Sequence, residues 1–270
     1  MKDGITVVGT GVIGRAIVDS LLKSKYDGKI TATEIDLEKI MDLEKLGVTI
    51  TSDNKKAVKA SEVIFLCVKP NAVENVLKEI KNELEGKLLV STAATVPIKF
   101  YKRIAPKAKL VRTMPNVALL VQEAFIAYCC DNDVTKEEKE KIKEILGVMG
   151  IHMEVKEQYM DAITALSGSA PGYISIIIEA MMYAGLKVGL PRELALYSSA
   201  QSVLGTAKLV LESGQHAAQI RDMVTTPGGT TIEAIYELEG GQIRQALMRA
   251  VEAATRKSEK IRKQWGIDDT

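Results

Sequence analysis

Ile5-Thr6-Val7-Val8-Gly9-Thr10-Gly11-Val12-Ile13-Gly14 is the stretch that decides the fold. Four β-branched residues read as a strand. The strand runs directly into a G-x-G-x-x-G turn, and apolar spacing from Val12 to Ser24 continues as a helix. Strand, glycine turn and helix are the context in which this spacing binds a dinucleotide. Gly9 makes the tight turn, Gly11 lets the backbone approach a pyrophosphate, and Gly14 lets the helix pack on the strand. Amides of the first helical turn then face the anion. Val8, Thr10, Val12 and Ile13 complete the expected phosphate loop. An ordinary glycine turn is the competing account, and the flanking elements weigh against it.

Downstream, Lys29 to Glu34 reads as a second strand that carries Glu34 at its end. An acid there accepts hydrogen bonds from the adenosine ribose hydroxyls and repels a 2′-phosphate. Asp36 adds to the repulsion, and the nearest cation is Lys39. The expected cofactor is NAD(P)H, with NADH favoured over NADPH; a solvated acid at a strand end is the alternative reading of Glu34. Further strands are expected at Val48–Ile50, Val63–Val68, Lys87–Ser91 and Leu110–Thr113, with late edge strands at Ala124–Cys130 and Ile151–Val155. A helix is expected over Leu37–Lys45. The unbroken apolar run at Val63–Val68 requires cover on both faces. Alternation of this kind predicts an α/β, Rossmann-type, doubly wound parallel sheet.

After about Val155 the strand signals stop. Helices are predicted over Gln158–Leu166, Pro171–Val188, Arg192–Ser213, Ile232–Leu238 and Gln242–Gln264. The expected division is a dinucleotide-binding domain over 1–155 and an all-α substrate and dimerisation domain over 156–270. Pro171–Val188 is apolar around most of its circumference and needs burial on nearly all sides. Roughly 115 remaining residues are few for enclosing it. A symmetric partner is the simplest source of the missing cover, so a homodimer or higher homo-oligomer is expected.

Composition narrows the class. The chain has 270 residues and is 46% apolar, enough for a core in each half. Its 36 basic and 35 acidic residues leave a formal charge of +1. That balance gives no electrostatic reason to expect nucleic acid or an anionic membrane as partner. Cys67, Cys129 and Cys130 make a poor disulfide framework and read as small buried hydrophobes in a reducing, cytoplasmic setting. No signal-peptide pattern precedes the first strand, no run reaches the roughly 20 apolar residues of a membrane span, and no metal site is expected.

Pro227-Gly228-Gly229-Thr230-Thr231-Ile232-Glu233 places two glycines before a helix, with Thr230 and Glu233 in capping-box spacing. Such a turn suits a carboxylate, and a plain capped helix start accounts for the same residues. In Ser167-Gly168-Ser169-Ala170-Pro171, Ser169 is expected to cap a helix that has Pro171 in its first turn, and the small residues also admit a nicotinamide ring. The two histidines, His152 and His216, read as structural rather than catalytic. Without an evident general base, a reaction that needs little proton machinery is favoured, such as reduction of a cyclic imine that arrives protonated.

Taken together these residues resemble the pyrroline-5-carboxylate reductase family, over essentially the whole chain. The resemblance is carried by Gly9–Gly14, Cys67-Val68-Lys69-Pro70, Ser91-Thr92-Ala93-Ala94, Arg112-Thr113-Met114-Pro115-Asn116, Leu166-Ser167-Gly168-Ser169 and, most specifically, Asp222 through Thr231. It implies that Asn54, Val68, Lys69 and Ala94 line the cofactor. It implies that Gly229, Thr230 and Thr231 hold the substrate, 1-pyrroline-5-carboxylate, with Thr231 hydrogen-bonding the reacting nitrogen, and that Glu157 lies near it. It also implies a site assembled from interlocked chains. Thr95 departs from the family's usual glycine, Val117-Ala118 from its Thr-Pro, and Glu34-Ile35 from the small or basic residues of NADPH-using members. Competing expectations are a reductase of a related cyclic imine or keto substrate and a non-catalytic dinucleotide-binding regulator.

Overall fold

The computed structural model describes residues 2–266. Eight strands form one sheet in the order β3-β2-β1-β4-β5-β6-β7-β8. They are β1 (Lys2–Val8), β2 (Gly28–Thr33), β3 (Thr49–Thr51), β4 (Val63–Leu66), β5 (Leu88–Ser91), β6 (Lys109–Met114), β7 (Ala124–Cys130) and β8 (Gly150–Glu154). The pairing is parallel from β3 across to β6, antiparallel between β6 and β7, and parallel again between β7 and β8. The strand order reverses at β1, which pairs with both β2 and β4. Ligands of open α/β sheets bind in the crevice at the carboxyl ends beside such a reversal.

Side-chain alternation builds the two layers. Ile5, Val7, Val63, Phe65, Leu88 and Val90 point to one face, where they pack with Ile17 and Leu21 of α1 (Val12–Lys23) and with Ile142 and Leu146. Val8, Ile64, Leu66 and Leu89 point to the other face and meet Val73, Leu77, Phe100 and Tyr101. The helices α2 (Asn54–Lys59), α3 (Pro70–Ile80), α4 (Ile98–Ile104) and α5 (Lys136–Gly147) were not delimited by the apolar spacing. Two of them carry legible start signals: Pro70 opens α3, and Thr135 with Glu138 forms a complete capping box on α5.

Three expectations are corrected in this region. The strand β2 ends at Thr33, so Glu34 stands just beyond the ladder. Leu37–Leu46 is a 3-10 segment rather than an α-helix. Its buried residues, Ile40 and Leu43, are three apart, which matches a three-residue turn. The expected helix over Gln158–Leu166 is composite: a 3-10 turn at Glu157–Tyr159, α6 (Met160–Ile163), and a π-turn at Thr164–Gly168.

The remaining helices are α7 (Ala170–Lys187), α8 (Arg192–Ser213), α9 (Ala217–Met223), α10 (Thr230–Gly240) and α11 (Ile243–Lys263). No strand falls beyond Glu154 among the described residues. By compactness the chain forms two units that divide between Ser169 and Ala170, and the first unit takes the chain back from Ala253. Inside the first unit, Asp161 is nearly buried and accepts hydrogen bonds from Ser258 Oγ and Arg262 Nε, each at 2.6 Å. Trp265 packs on Phe100 with ring centroids 4.6 Å apart. In the second unit α7 lies close against α8, where a Cβ on Gly185 would stand 2.8 Å from that of Ala195. Met182 is the one residue of α7 buried within the chain. No helix among the described residues is long and apolar enough to cross a membrane.

Candidate functional site: a glycine turn on the sheet and a second at a helix start

One carbonyl organises the β1–α1 turn. Thr33 O accepts from the amides of Gly9 and Thr10, both at 3.1 Å, and from Thr10 Oγ1 at 3.0 Å. The three glycines then divide the work. Gly9 has φ +85°, and a Cβ there would stand 2.7 Å from Val68 Cγ1. A Cβ on Gly14 would overlap the Gly9 carbonyl oxygen. Around Gly11 a Cβ would meet nothing within 4 Å, so its backbone borders open space. The first helical bond of α1 runs from Arg15 N to Gly11 O, at 2.7 Å. Gly11 has no side chain to cap the amides of the first turn. Val12, beside them, is 63% exposed at the sheet's carboxyl edge. Bare amides, open space and an exposed apolar side chain fit the pyrophosphate and adjoining sugar of a dinucleotide.

The other residues assigned to the cofactor reach the same edge, because β1 to β6 are mutually parallel. Glu34 follows β2 half-buried, with its Oε1 accepting from the Ile35 amide at 3.0 Å. Ile35 itself is 96% exposed. Lys39, the next cation along the sequence, is paired with Asp36 at 3.2 Å. Asn54 opens α2, accepts from Thr33 Oγ1 at 2.6 Å and donates to Glu79 at 3.1 Å. Val68 and Lys69 follow β4, and Lys69 precedes α3 at its cap position. Ala94 lies in the turn after β5, where Thr95 takes φ +67° and donates through Oγ1 to the Ala94 carbonyl at 2.6 Å. A β-branched residue is rare in that left-handed region, so the departure from glycine is carried with backbone strain. Burial pushes the Cys67 thiol up to about 12, which leaves no thiolate nucleophile at neutral pH.

Glu157 belongs to the first unit. Its Oε1 accepts from Arg112 Nη1 and from the Ile98 amide, both at 2.8 Å, so the carboxylate joins a buried guanidinium to the start of α4. Thr230 and Thr231 belong to the second unit. Here the expected capping box is corrected: Gly229 occupies the cap position and no side chain caps α10. Thr230 is already the first helical residue, so its hydroxyl is past the cap position. The turn needs its glycines, since Gly228 has φ +66° and a Cβ on Gly229 would overlap Thr226 Oγ1. What remains is an uncapped 11-residue helix start with Thr231 half-buried one residue inside it.

His216 caps α9 through Nδ1, which accepts from the Ala218 amide at 3.2 Å, and His152 sits in β8 beside the Tyr128 ring. No cluster suited to a metal ion occurs among the described residues.

The glycines give a clean test of the turn. Gly11→Ala is expected to leave stability within about 1 kcal/mol while weakening NADH binding roughly tenfold or more, a loss of about 1.4 kcal/mol. Gly14→Ala is expected to lower the unfolding midpoint itself, because the overlap is with backbone. Fluorescence titration with NADH and thermal unfolding of the ligand-free protein check both; unchanged affinity in Gly11→Ala refutes the assignment of the turn.

Comparison with known proteins agrees with this geometry. Residues 157–261 match the family model described as "Pyrroline-5-carboxylate reductase dimerisation", and residues 4–95 match "NADP oxidoreductase coenzyme F420-dependent". The pyrroline-5-carboxylate reductase of Methanosarcina acetivorans is 38% identical over 264 residues, covering 96% of this chain and 98% of the relative. A solved pyrroline-5-carboxylate reductase from Coxiella burnetii is 34% identical, with a TM-score of 0.91 over 97% of this chain and 99% of that one. The Plasmodium falciparum pyrroline carboxylate reductase, solved with NADP bound, is 30% identical, with a TM-score of 0.86 over 96% of this chain and 98% of that one. From the glycine turn of β1 to the uncapped start of α10, the chain belongs to the pyrroline-5-carboxylate reductase family.

Proposed function

We propose that this chain reduces 1-pyrroline-5-carboxylate to L-proline at the expense of NADH. The observation that carries the reading is the pair of glycine-framed, uncapped helix starts, at Gly9–Gly14 and at Gly228–Thr231, in a member of this family. A pyrophosphate and a carboxylate each suit one such seat. When bound, the reduced dinucleotide supplies the hydride that adds to the ring imine carbon. The ring nitrogen arrives protonated and keeps that proton as the product amine, so the chain needs no general acid.

The roles of this chain's residues follow. Amides at Gly229, Thr230 and Thr231 hold the substrate carboxylate, and the Thr231 hydroxyl bonds the ring nitrogen. Val8 through Gly14, Asn54, Val68, Lys69 and Ala94 hold the dinucleotide, with Glu34 on the adenosine ribose. Glu157 stands near the substrate on the family resemblance, with Oε1 already committed to Arg112 and Ile98. The functional division is 1–155 for the dinucleotide and 156–270 for substrate and dimerisation, which the family match over 157–261 supports.

The preference for NADH rests on Glu34, with Asp36 holding Lys39, the cation that follows it most closely in sequence. The Plasmodium relative was solved with NADP, so the preference is argued from this chain's own acid. A homodimer rests on the apolar faces the single chain leaves open: Ile176 and Tyr183 on α7, Val188 just after it, Tyr197 and Leu211 on α8, and Tyr236 on α10 are all more than half exposed. Exposed apolar surface on that scale marks an interface.

Three measurements test these assignments. A coupled assay with 1-pyrroline-5-carboxylate and with its six-membered homologue, run with each reduced cofactor, should show turnover of the five-membered imine with a kcat/KM roughly tenfold or more higher for NADH, the scale of about one charge contact. No imine-dependent NAD(P)H oxidation sinks the function, and an NADPH preference sinks the role of Glu34. Thr231→Ala should lower kcat/KM for the imine roughly ten- to a hundredfold, the worth of one hydrogen bond to a charged group, with NADH affinity nearly intact; wild-type activity in the folded variant refutes it. Light scattering should give an active species of at least twice the 29.4 kDa chain mass, and full activity at the mass of a single chain rules out the dimer.

A further inference from the structure

Two motifs that the proposed function leaves unused meet in the first unit. Asn116, in the loop after β6, donates through Nδ2 to the Ser167 carbonyl at 3.2 Å and to Ser167 Oγ at 3.4 Å, across 51 residues of sequence. Its Oδ1 accepts from the Ala118 amide at 3.2 Å, which starts the short 3-10 segment Val117–Val121. Met114, two residues earlier, lies against Gly168, where a Cβ would overlap its methyl group. The β6 loop therefore grips the π-turn Thr164–Gly168 at two adjacent residues.

The sequence explains why the turn exists and why it needs a grip. In a continuous α-helix the Ser167 carbonyl would pair with the amide of residue 171, which is Pro171 and has none. The proline ring also crowds that carbonyl. The chain widens instead: the Ser169 amide reaches back to Thr164 O at 2.9 Å, and Ser169 Oγ bonds the same oxygen at 3.1 Å. The expectation that Ser169 caps a new helix is thereby corrected, since its hydroxyl closes the π-turn. Beyond a local approach from the Ser169 amide, the Ser167 carbonyl accepts from Asn116. Wide turns of this kind inside helices occur frequently at functional sites.

Placement supplies the purpose. Because β5 and β6 are parallel, Asn116 stands at the same carboxyl edge as Gly9, Val68 and Ala94. With the pyrophosphate at β1 and the adenosine at β2, the nicotinamide half of the dinucleotide extends the other way, across β4 and β5 toward β6. We infer that Asn116 is a positioning residue for hydride transfer, which holds the Ser167 carbonyl so that the π-turn forms the wall of the nicotinamide seat. The inference rests on the proposed dinucleotide site. A displacement of about 1 Å at a reacting centre costs on the order of a hundredfold in rate, so a wall held by one side chain can govern turnover without governing affinity.

Two variants separate positioning from mere support. Asn116→Ser keeps an oxygen for the Ala118 amide but is too short to reach Ser167. Asn116→Asp keeps the shape and loses both donors. In each, the expected result is NADH affinity within about threefold of wild type, an unfolding midpoint within a few degrees, an altered emission of bound NADH, and kcat lowered roughly ten- to a hundredfold. The emission reports the surroundings of the reduced nicotinamide without turnover. Wild-type emission and kcat in both variants overturn the inference, as does a loss of kcat that only tracks lost NADH binding or lost fold. Absence of imine reduction by the wild-type protein would instead indict the proposed function, and the emission comparison would still decide this point.

Discussion

The closeness of Gly14 to the Gly9 carbonyl is the constraint on which the first unit depends. No side chain can stand at position 14 without displacing backbone, so helix α1 seats directly on the turn that ends β1. That seating brings the bare amides of the first helical turn to the edge of the sheet. Thr33 O, by gathering three donors from Gly9 and Thr10, ties the same turn to the end of β2 and thus to the Glu34 carboxylate one residue further on. One hydrogen-bonded carbonyl and one missing Cβ therefore set the distance between the bare amides of α1 and the Glu34 carboxylate.

The reading from sequence succeeded where local pattern and tertiary demand coincide. The glycine turn, the β-branched runs and the loss of strand signals after Val155 all report burial that the fold then supplies. It fell short where one residue's competition decides the outcome. Thr230 and Glu233 have the spacing of a capping box, yet Gly229 takes the cap because its backbone is free to do so. Leu37–Leu46 has helical composition, but its two buried residues select a tighter turn. The π-turn at Thr164–Gly168 had a signal in Pro171, whose missing amide orphans the Ser167 carbonyl. Its resolution by Asn116, far away in sequence, could not be seen without the sheet.

The two glycine turns differ in what surrounds them. At β1 the turn is locked from three sides, by Val68, the Gly9 carbonyl and Thr33. At α10 the glycines serve the path of the chain, and Gly228 and Thr230 are exposed in the single chain, with Gly229 and Thr231 half-buried. A rigid seat suits a cofactor whose placement must be reproduced in every cycle. An open one suits a substrate that must enter and leave, and it fits a second unit whose apolar faces await cover from a partner.

The return of the chain from Ala253 has a consequence for synthesis. Asp161 receives Ser258 and Arg262, and Phe100 receives Trp265, so the last residues described complete the unit that contains the first. Domains generally fold as they emerge, amino end first. This one cannot finish until the chain through Trp265 has been made. Until then Asp161, a carboxylate destined for burial, and the face of Phe100 stay open on the nascent chain, and a ribosome that stops before Ser258 leaves a dinucleotide sheet without its final clasp.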